Sequence, residues 1–329
     1  MSRNTSGISL VIPVRNEAKT IKGLLRSIGA QTRQPDEVII VDGGSTDGTP
    51  DIVRQFTDGH ASLQLIEAGA CTPGRGRNVG RSVATNRWIA FTDGGIRLSP
   101  HWLQHLVEAT ERCPGAEVVY GAYEPELTSF LDSCALGAYV APKRETPNGP
   151  LRGPSVASMM LSTNAFDRVK GFPDLRAAED QIFFNQIERG GLVTVWAPGA
   201  VAYWQLPRSI PATFRRFRLY SRQNVLVGRQ RHWHYGVARM YAVAIAIAGV
   251  AFLRNRRLLI LLPLGAAARS VHRLSQHRET YGTGYVFNPL RVVGTVILTL
   301  VIDAATFNGW VSASGRRFRR RRHRWDRGG

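Results

Sequence analysis

The chain has 329 residues, 43% of them apolar, which excludes a chain too polar to fold and provides for one large domain with an accessory part. Its formal net charge of +19 resembles that of a nucleic-acid binder until it is mapped: residues 1 to 206 hold 20 Lys or Arg against 21 Asp or Glu, and residues 207 to 329 hold 23 Arg against 3 acids. The excess is wholly carboxyl-terminal and lies beside apolar runs, which favours an anionic membrane surface over nucleic acid or an acidic partner. The first apolar run, Ile8 to Val14, predicts a strand ending in Pro13-Val14-Arg15-Asn16-Glu17. Ala18 to Ile28 has apolar residues at 21, 24, 25 and 28, a helical spacing. Val38 to Val41 is a β-branched run suited to a parallel strand buried on both faces. It stops at Asp42 and enters Gly43-Gly44-Ser45-Thr46-Asp47-Gly48, and an acid at the carboxyl end of such a strand sits where open α/β sheets bind ligands. A nucleotide site is expected there.

Leu63 to Ile66 predicts a third strand, followed by a glycine-rich loop, Gly74 to Gly80, and a helix from about Asn78. The loop is not a dinucleotide fingerprint, because it follows the second strand-helix unit and carries Arg75 and Arg77. Those arginines suit a diphosphate through forked, charge-assisted hydrogen bonds, and a solvated basic loop is the alternative. Arg87 to Thr92 predicts a strand ending at Asp93, then Gly94-Gly95. Between Tyr123 and Arg176 the pattern weakens, as in loops that build binding sites. Tyr139, Phe166 and Phe172 there either stack on a ligand face or close the core, and Trp196, Tyr203 and Trp204 add the option of interfacial anchoring. Glu179-Asp180 precedes a helix over Gln181 to Arg189, where acids also serve a helix start by satisfying free amides and its dipole. Cys71, Cys113 and Cys134 have neither a close pair nor metal spacing and are expected as free thiols.

Taken together, Val-Ile-Pro-Val-Arg-Asn-Glu and Val-Asp-Gly-Gly-Ser-Thr-Asp-Gly-Thr resemble the amino-terminal signature of family 2 inverting glycosyltransferases, which have a GT-A fold and use nucleotide sugars. The resemblance continues in order through Gly74 to Gly80, Trp88 to Asp93, Pro100 to Leu103 and Ala178-Glu179-Asp180, over about the first two thirds of the chain. It implies that Pro13, Arg15 and Glu17 border the nucleotide, Asp42 contacts the base, Asp93 lies at the diphosphate and metal, and Asp180 is the catalytic base with Glu179 beside it. Gly43, Asn78 and Gly94 join Arg75 and Arg77 in the expected nucleotide-sugar site. Many members place a second acid two residues after the first, where this chain has Gly95. Mn2+ or Mg2+ is therefore an expected cofactor with a single obvious carboxylate, and Arg97 is a candidate for the missing positive charge, against the reading of a surface arginine.

The final third begins at Pro207. Pro211 to Gly228 mixes Phe214, Phe217 and Tyr220 with Arg215, Arg216, Arg218 and Arg222, a basic amphipathic helix of the kind that lies on a bilayer. Met240 to Leu253, Leu258 to Ala268 and Val292 to Val311 are apolar; the last approaches the length of a span but contains Asp303 and Asn308. Two crossings, with Leu258 to Ala268 interfacial or re-entrant, are expected; three crossings, a monotopic arrangement and buried helices are the alternatives. The arginine-rich block from 316 is expected to be disordered in water and to dock on anionic headgroups or set topology.

The expected organisation is a GT-A α/β catalytic domain over 1–206 with a mostly parallel sheet, an interfacial helix over 207–235, a hydrophobic membrane region over 236–315 and a basic tail over 316–329. No cleavable leader precedes the first strand, so the catalytic part is expected on the cytoplasmic side of the cell membrane. The expected reaction moves a sugar with inversion from a nucleotide diphosphate sugar, UDP first, to a lipid-linked or polysaccharide acceptor. An inactive nucleotide-sugar binder or scaffold is the alternative. No nucleic-acid partner is expected.

Overall fold

The apolar runs at the start of the chain become strands covered on both faces. In the computed structural model, which describes residues 7–57, 62–145 and 149–325 (side chains of Thr57, His232 and from 315 onward excepted), β1 (Ile8–Val14) and β2 (Glu37–Asp42) pair in parallel, with Ile12 opposite Ile40 and Val14 opposite Asp42. β3 (Leu63–Glu67) extends the sheet beyond β2, and β4 (Trp88–Phe91) pairs with the other side of β1, both in parallel. β5 (Ile96–Leu98), β6 (Val118–Glu126), β7 (Met159–Ser162) and β8 (Thr194–Gln205) complete an eight-stranded sheet in the order β3-β2-β1-β4-β7-β6-β8-β5. β7 is antiparallel to β4 and β6, β8 is parallel to β6, and β5 is an antiparallel edge. Because β1 leads to β2 on one side and the later β4 lies on the other, the carboxyl ends of β1 and β4 flank a topological switch point, where open sheets leave a crevice.

The period-2 alternation of β1 and β2 divides the core between the sheet's two faces. Leu10, Ile12 and Ile40 pack with Trp102, Leu103 and Leu106 on one side. Val11, Ile39 and Val41 pack with Ile89, Phe91, Phe166, Phe172 and Phe183 on the other. Phe172 stacks on Phe183 at 3.8 Å between centroids, so Phe166 and Phe172 close the core and are not sugar platforms. Of the helices α1 (Ile21–Gly29), α2 (Thr49–Thr57), α3 (Pro73–Val83), α4 (Trp102–Arg112), α5 (Phe130–Tyr139), α6 (Thr163–Arg168) and α7 (Glu179–Arg189), α1 buries the four apolar positions its spacing predicts. α3 departs from expectation: Gly74 to Gly80 is helix, not loop. Thr72 caps it by accepting from the Arg75 amide, and Pro73 starts it. Its glycines serve close packing. A Cβ at Gly80 would lie 2.3 Å from Val11 Cγ1, and one at Gly76 would lie 3.2 Å from Pro13 Cβ.

A second compact unit comprises Leu127–Pro142 and the chain from Leu206 onward. The expected boundaries left α5 with the α/β part, whereas this unit includes it. α5 is held by helices far along the chain: a Cβ at Gly137 would lie 2.4 Å from Leu274 Cδ2, one at Gly294 2.5 Å from Cys134 Sγ, and the Tyr285 hydroxyl donates to the Ser133 carbonyl at 2.6 Å. The unit continues with α8 (Ile210–Leu226), α9 (His234–Leu253), α10 (Leu261–Ser275), α11 (Arg278–Tyr281), α12 (Thr283–Val286) and α13 (Pro289–Trp325).

By length and composition, α9 and residues Pro289–Ser314 of α13 are long and apolar enough to cross a membrane. The remaining apolar stretch, Leu258 to Ala268, begins in a 3-10 turn, Arg256–Ile260, and continues into α10. α8 is not a free surface helix, since the Ser221 hydroxyl donates to the Thr306 carbonyl at 2.6 Å and Gly309 leaves no room for a side chain against the Arg218 carbonyl. Asp303 is buried and neutralised by Arg269 at 2.6 Å, with the Tyr241 hydroxyl 3.3 Å away. The helical backbone runs on to Trp325, where disorder was expected; residues 326–329 and the tail's arginine side chains lie outside the described part.

Candidate active site

The loops after β1 and β2 are clasped together. Asn16 adopts a left-handed φ of 59°, donates its amide to Ser45 Oγ at 2.8 Å and accepts from the Thr46 amide at 2.8 Å. The Glu17 amide donates to Thr49 Oγ1 at 2.8 Å and the Ala18 amide to Asp47 Oδ2 at 3.0 Å. Asp47 also accepts from the Thr49 hydroxyl at 2.5 Å, and that bond holds its carboxyl below the usual range. Asp47, which the sequence leaves without a role, is thus the clasp.

Asp42 is 3% exposed and spends its carboxylate on the turn that follows: Oδ2 accepts from the Gly44 amide at 3.0 Å and the Ser45 amide at 2.9 Å, and Oδ1 from the Ser45 hydroxyl. Through these bonds Asp42, expected at the base, shapes the turn that follows β2. A Cβ at Gly43 would lie 3.2 Å from the Cys71 carbonyl, so the turn passes close to the start of α3. Cys71 is buried, and burial pushes its thiol up against the opposing field of Arg75 and Arg15. Arg15 and Arg75 are exposed, and neither forms an ion pair among the described residues.

Across the switch point, α3 grips the segment that leads to α7. Asn78 accepts from the Phe172 amide at 2.9 Å and donates to its carbonyl at 2.7 Å, satisfying both backbone groups of that residue. The Thr72 hydroxyl donates to Asp174 at 2.5 Å. Arg77, 3% exposed, donates through Nη2 to Asp93 at 2.7 Å and through Nη1 to Glu179 at 3.2 Å, with its guanidinium over the Phe172 ring. Asn78 and Arg77, expected at the nucleotide sugar, are engaged in organising the path to α7. Arg97 is drawn away as well, pairing with Glu126 at 2.8 Å and lying over Tyr203.

Glu179 and Asp180 open α7 after Ala178, a non-glycine residue at φ 70°. Glu179 is buried on Arg77, and burial first, then Asp180 against the opposing Arg77, pushes its carboxyl up. Glu179, expected beside the catalytic base, thus serves the Arg77 ion pair. Asp180 is half-buried, and its Oδ1 accepts from the Gln181 amide at 2.7 Å. Its field also reaches Tyr123 on β6, whose hydroxyl burial pushes up. The next residue, Glu124, binds Arg152 at 2.9 Å and Lys143 at 2.9 Å. Sequence reasoning missed this group because its members are scattered over a segment without periodicity.

The acids near the switch point fit a divalent cation sparingly. The Asp93 side chain is 43% exposed with one oxygen on Arg77. Glu17 extends over the following turn: a Cβ at Gly94 would lie 2.8 Å from Glu17 Cγ, and one at Gly95 3.4 Å from its Oε2. A carboxylate is thus present close to where a side chain at 95 would begin. A cation shared with a diphosphate needs one or two such groups. No group of three or more His, Cys, Asp or Glu able to hold a metal ion occurs among the described residues.

The sequence profile of glycosyl transferase family 2 matches residues 9–137. That segment is a glycosyl transferase family 2 domain. The family 2 match covers the clasped loops, α3 and Asp93 and stops short of Glu179 and Asp180. Similar proteins include Glycosyltransferase AglE of Haloferax volcanii, 36% identical over 36% of this chain and 39% of its own. An uncharacterized glycosyltransferase of Nostoc is 25% identical over 83% and 81%, and the succinoglycan biosynthesis protein ExoO of Rhizobium meliloti is 32% identical over 34% and 31%. This chain therefore spans about a third of the length of two of these relatives. Among solved structures, a mannosyltransferase from Pyrobaculum calidifontis, determined with GDP-Man and Mn2+, superposes with a TM-score of 0.64 at 20% identity over 93% of this chain and 87% of that one. The family 2 domain therefore has the GT-A type of fold.

Proposed function

We propose that this protein is a membrane-associated glycosyltransferase that moves a sugar with inversion from a nucleotide diphosphate sugar, UDP-linked first, to a lipid-linked or polysaccharide acceptor. The observation that carries the reading is the meeting of Asp93, Arg77 and the Glu179-Asp180 helix start beside the clasped β1 and β2 loops. In this reading the nucleotide is bordered by Pro13, Arg15, Glu17 and the Gly43–Ser45 turn. The exposed Arg15 and Arg75 replace Arg77 and Arg97 as the cations that meet the diphosphate.

In the transfer step an acceptor hydroxyl attacks the anomeric carbon from the face opposite the diphosphate, and Asp180 takes its proton. The new glycosidic bond forms as the bond to the diphosphate oxygen breaks, and the nucleoside diphosphate leaves. Mn2+ or Mg2+, if bound, would be held by Asp93 and Glu17 and would supply charge neutralisation at the diphosphate. The apolar α9 and α13 support a position at the cell membrane, with the GT-A part on the cytoplasmic side where nucleotide sugars are made.

The test is nucleoside diphosphate release from a panel of UDP- and GDP-sugars by the full chain in membranes, with acceptor extract and with or without Mn2+ or Mg2+. Asp180→Asn is expected to lower transfer by about 10²- to 10⁴-fold while sparing nucleotide binding. Transfer at near wild-type rate by that variant would refute the assignment. Gly95, in place of a second acid, favours a second reading as a nucleotide-sugar-binding scaffold. Donor binding without release in the presence of acceptor would select it.

A further inference from the structure

Arg77 is placed unlike a simple structural arginine. It is 3% exposed, and it spans two acids from distant parts of the chain, one half-exposed at the end of β4 and one buried at the start of α7. Among the described residues its Nε is buried without a hydrogen-bond partner, and two nitrogens and the Phe172 ring hold the guanidinium. The bond to Asp93, at 2.7 Å, is shorter than the bond to Glu179, at 3.2 Å. The helix start is correspondingly dependent on it: Ala178 holds a left-handed φ of 70° and caps α7 with no side-chain bond. A non-glycine residue stays in that conformation only where its surroundings over-determine it, and Arg77 supplies the ion pair next to it.

We propose that Arg77 is a positioning residue that links the two sides of the site: by holding Asp93 through one nitrogen and Glu179 through the other, it makes the placement of the Asp180 helix start respond to what binds at Asp93. A cation or diphosphate that competes for the Asp93 carboxylate weakens the shorter bond. The guanidinium then follows Glu179, and the first turn of α7 settles with it. This deepens the transferase reading, on which it rests, by giving donor binding a route to the base. Asp93, Arg77 and Glu179 form a contiguous chain of ion pairs, one of the kinds of network through which coupling is carried.

The test uses the full chain in detergent with Mn2+ and either UDP or GDP as the probe. In the wild type, hydrogen exchange of the amides of residues 178–183 is expected to change by about tenfold on adding nucleotide and Mn2+. Arg77→Lys keeps the buried charge but loses the fork, and should abolish that response. In transfer assays it should lower kcat by about 10- to 100-fold with donor KM changed less than about threefold. Glu179→Gln, which keeps an acceptor for Arg77, should retain part of the exchange response and serves as the folding control.

An exchange pattern in the wild type that ignores both nucleotides with Mn2+ overturns the coupling. So does an Arg77→Lys variant that keeps the response and loses rate only in proportion to its melting temperature, since that assigns Arg77 to folding alone. Exchange that responds normally in a wild type releasing no nucleoside diphosphate from any donor would sink the transferase reading and leave the coupling standing.

Discussion

Glu179 and Arg77 share one ion pair, yet burial acts on them unequally. For Arg77 burial opposes the charge, but Asp93 and Glu179 together outweigh it and its pKa is raised. For Glu179 burial wins, because it has a single guanidinium nitrogen at 3.2 Å and the like charge of Asp180 beside it. The folded protein therefore holds the Glu179 proton more tightly than the unfolded chain does. Stability from this site is gained as pH falls through the raised pKa and lost as pH rises from the ordinary carboxylate range. The Tm of Glu179→Gln relative to wild type should rise as pH increases from the ordinary carboxylate range through the raised pKa; a difference flat in pH contradicts the assignment. At this scale the sequence marked the acids well, since Asp42, Asp93 and Asp180 each stand at the strand or helix end where the pattern put them. It misassigned the cations. Arg77 meets Glu179 across 102 positions and Asn78 meets Phe172 across 94, and no local spacing encodes such pairings.

Among the elements, α3 shows what glycine does when packing decides. Three glycines within Gly74 to Gly80 carry the chain's preference away from helix, and the segment is helical because its capped start and its tight seat on β1 outweigh that preference. Gly80→Ala gains about 1 kcal/mol of helix propensity but drives a methyl against Val11, at a cost of about 1–3 kcal/mol or more. A net lowering of the urea midpoint is expected. Gly23 in α1 has nothing within 4 Å of a built Cβ, so Gly23→Ala should raise the midpoint in the same assay, with a gain of about 0.5–1 kcal/mol in unfolding free energy. Either result with the sign reversed would contradict the packing account. The strands were legible because runs such as Val38 to Val41 have one physical solution. The helix at Pro73 was not, because its cause is a neighbouring strand.

The whole chain divides into an α/β unit that carries the site and a helical unit whose outer residues include Ile245, Phe252, Leu253 and Leu290, all more than 70% exposed. With its 23 carboxyl-terminal arginines, the full chain is expected to bind vesicles containing phosphatidylserine more tightly than neutral ones. Raising salt from 0.1 to about 1 M, where the screening length drops from about 10 to about 3 Å, should remove that preference and leave the apolar attachment. Vesicle binding that vanishes entirely in salt would contradict an apolar contribution. Composition announced the helical unit. It gave no hint of α5, whose membership depends on small residues at Cys134 and Gly137 meeting helices well over a hundred positions later.

That excursion bears on how the catalytic part can be isolated. The chain leaves the α/β unit after Glu126, returns at Lys143 and leaves again after Gln205, so a fragment ending at Gln205 still carries α5 with its partners removed and Cys134, Ala135 and Leu136 laid bare. Such a fragment should precipitate through an orphaned helix and not through any defect of the sheet. Lys143 and Glu124 already meet at 2.9 Å, so a few glycines and serines joining Glu126 to Lys143 would bypass the excursion and turn a twice-interrupted unit into a continuous, soluble one.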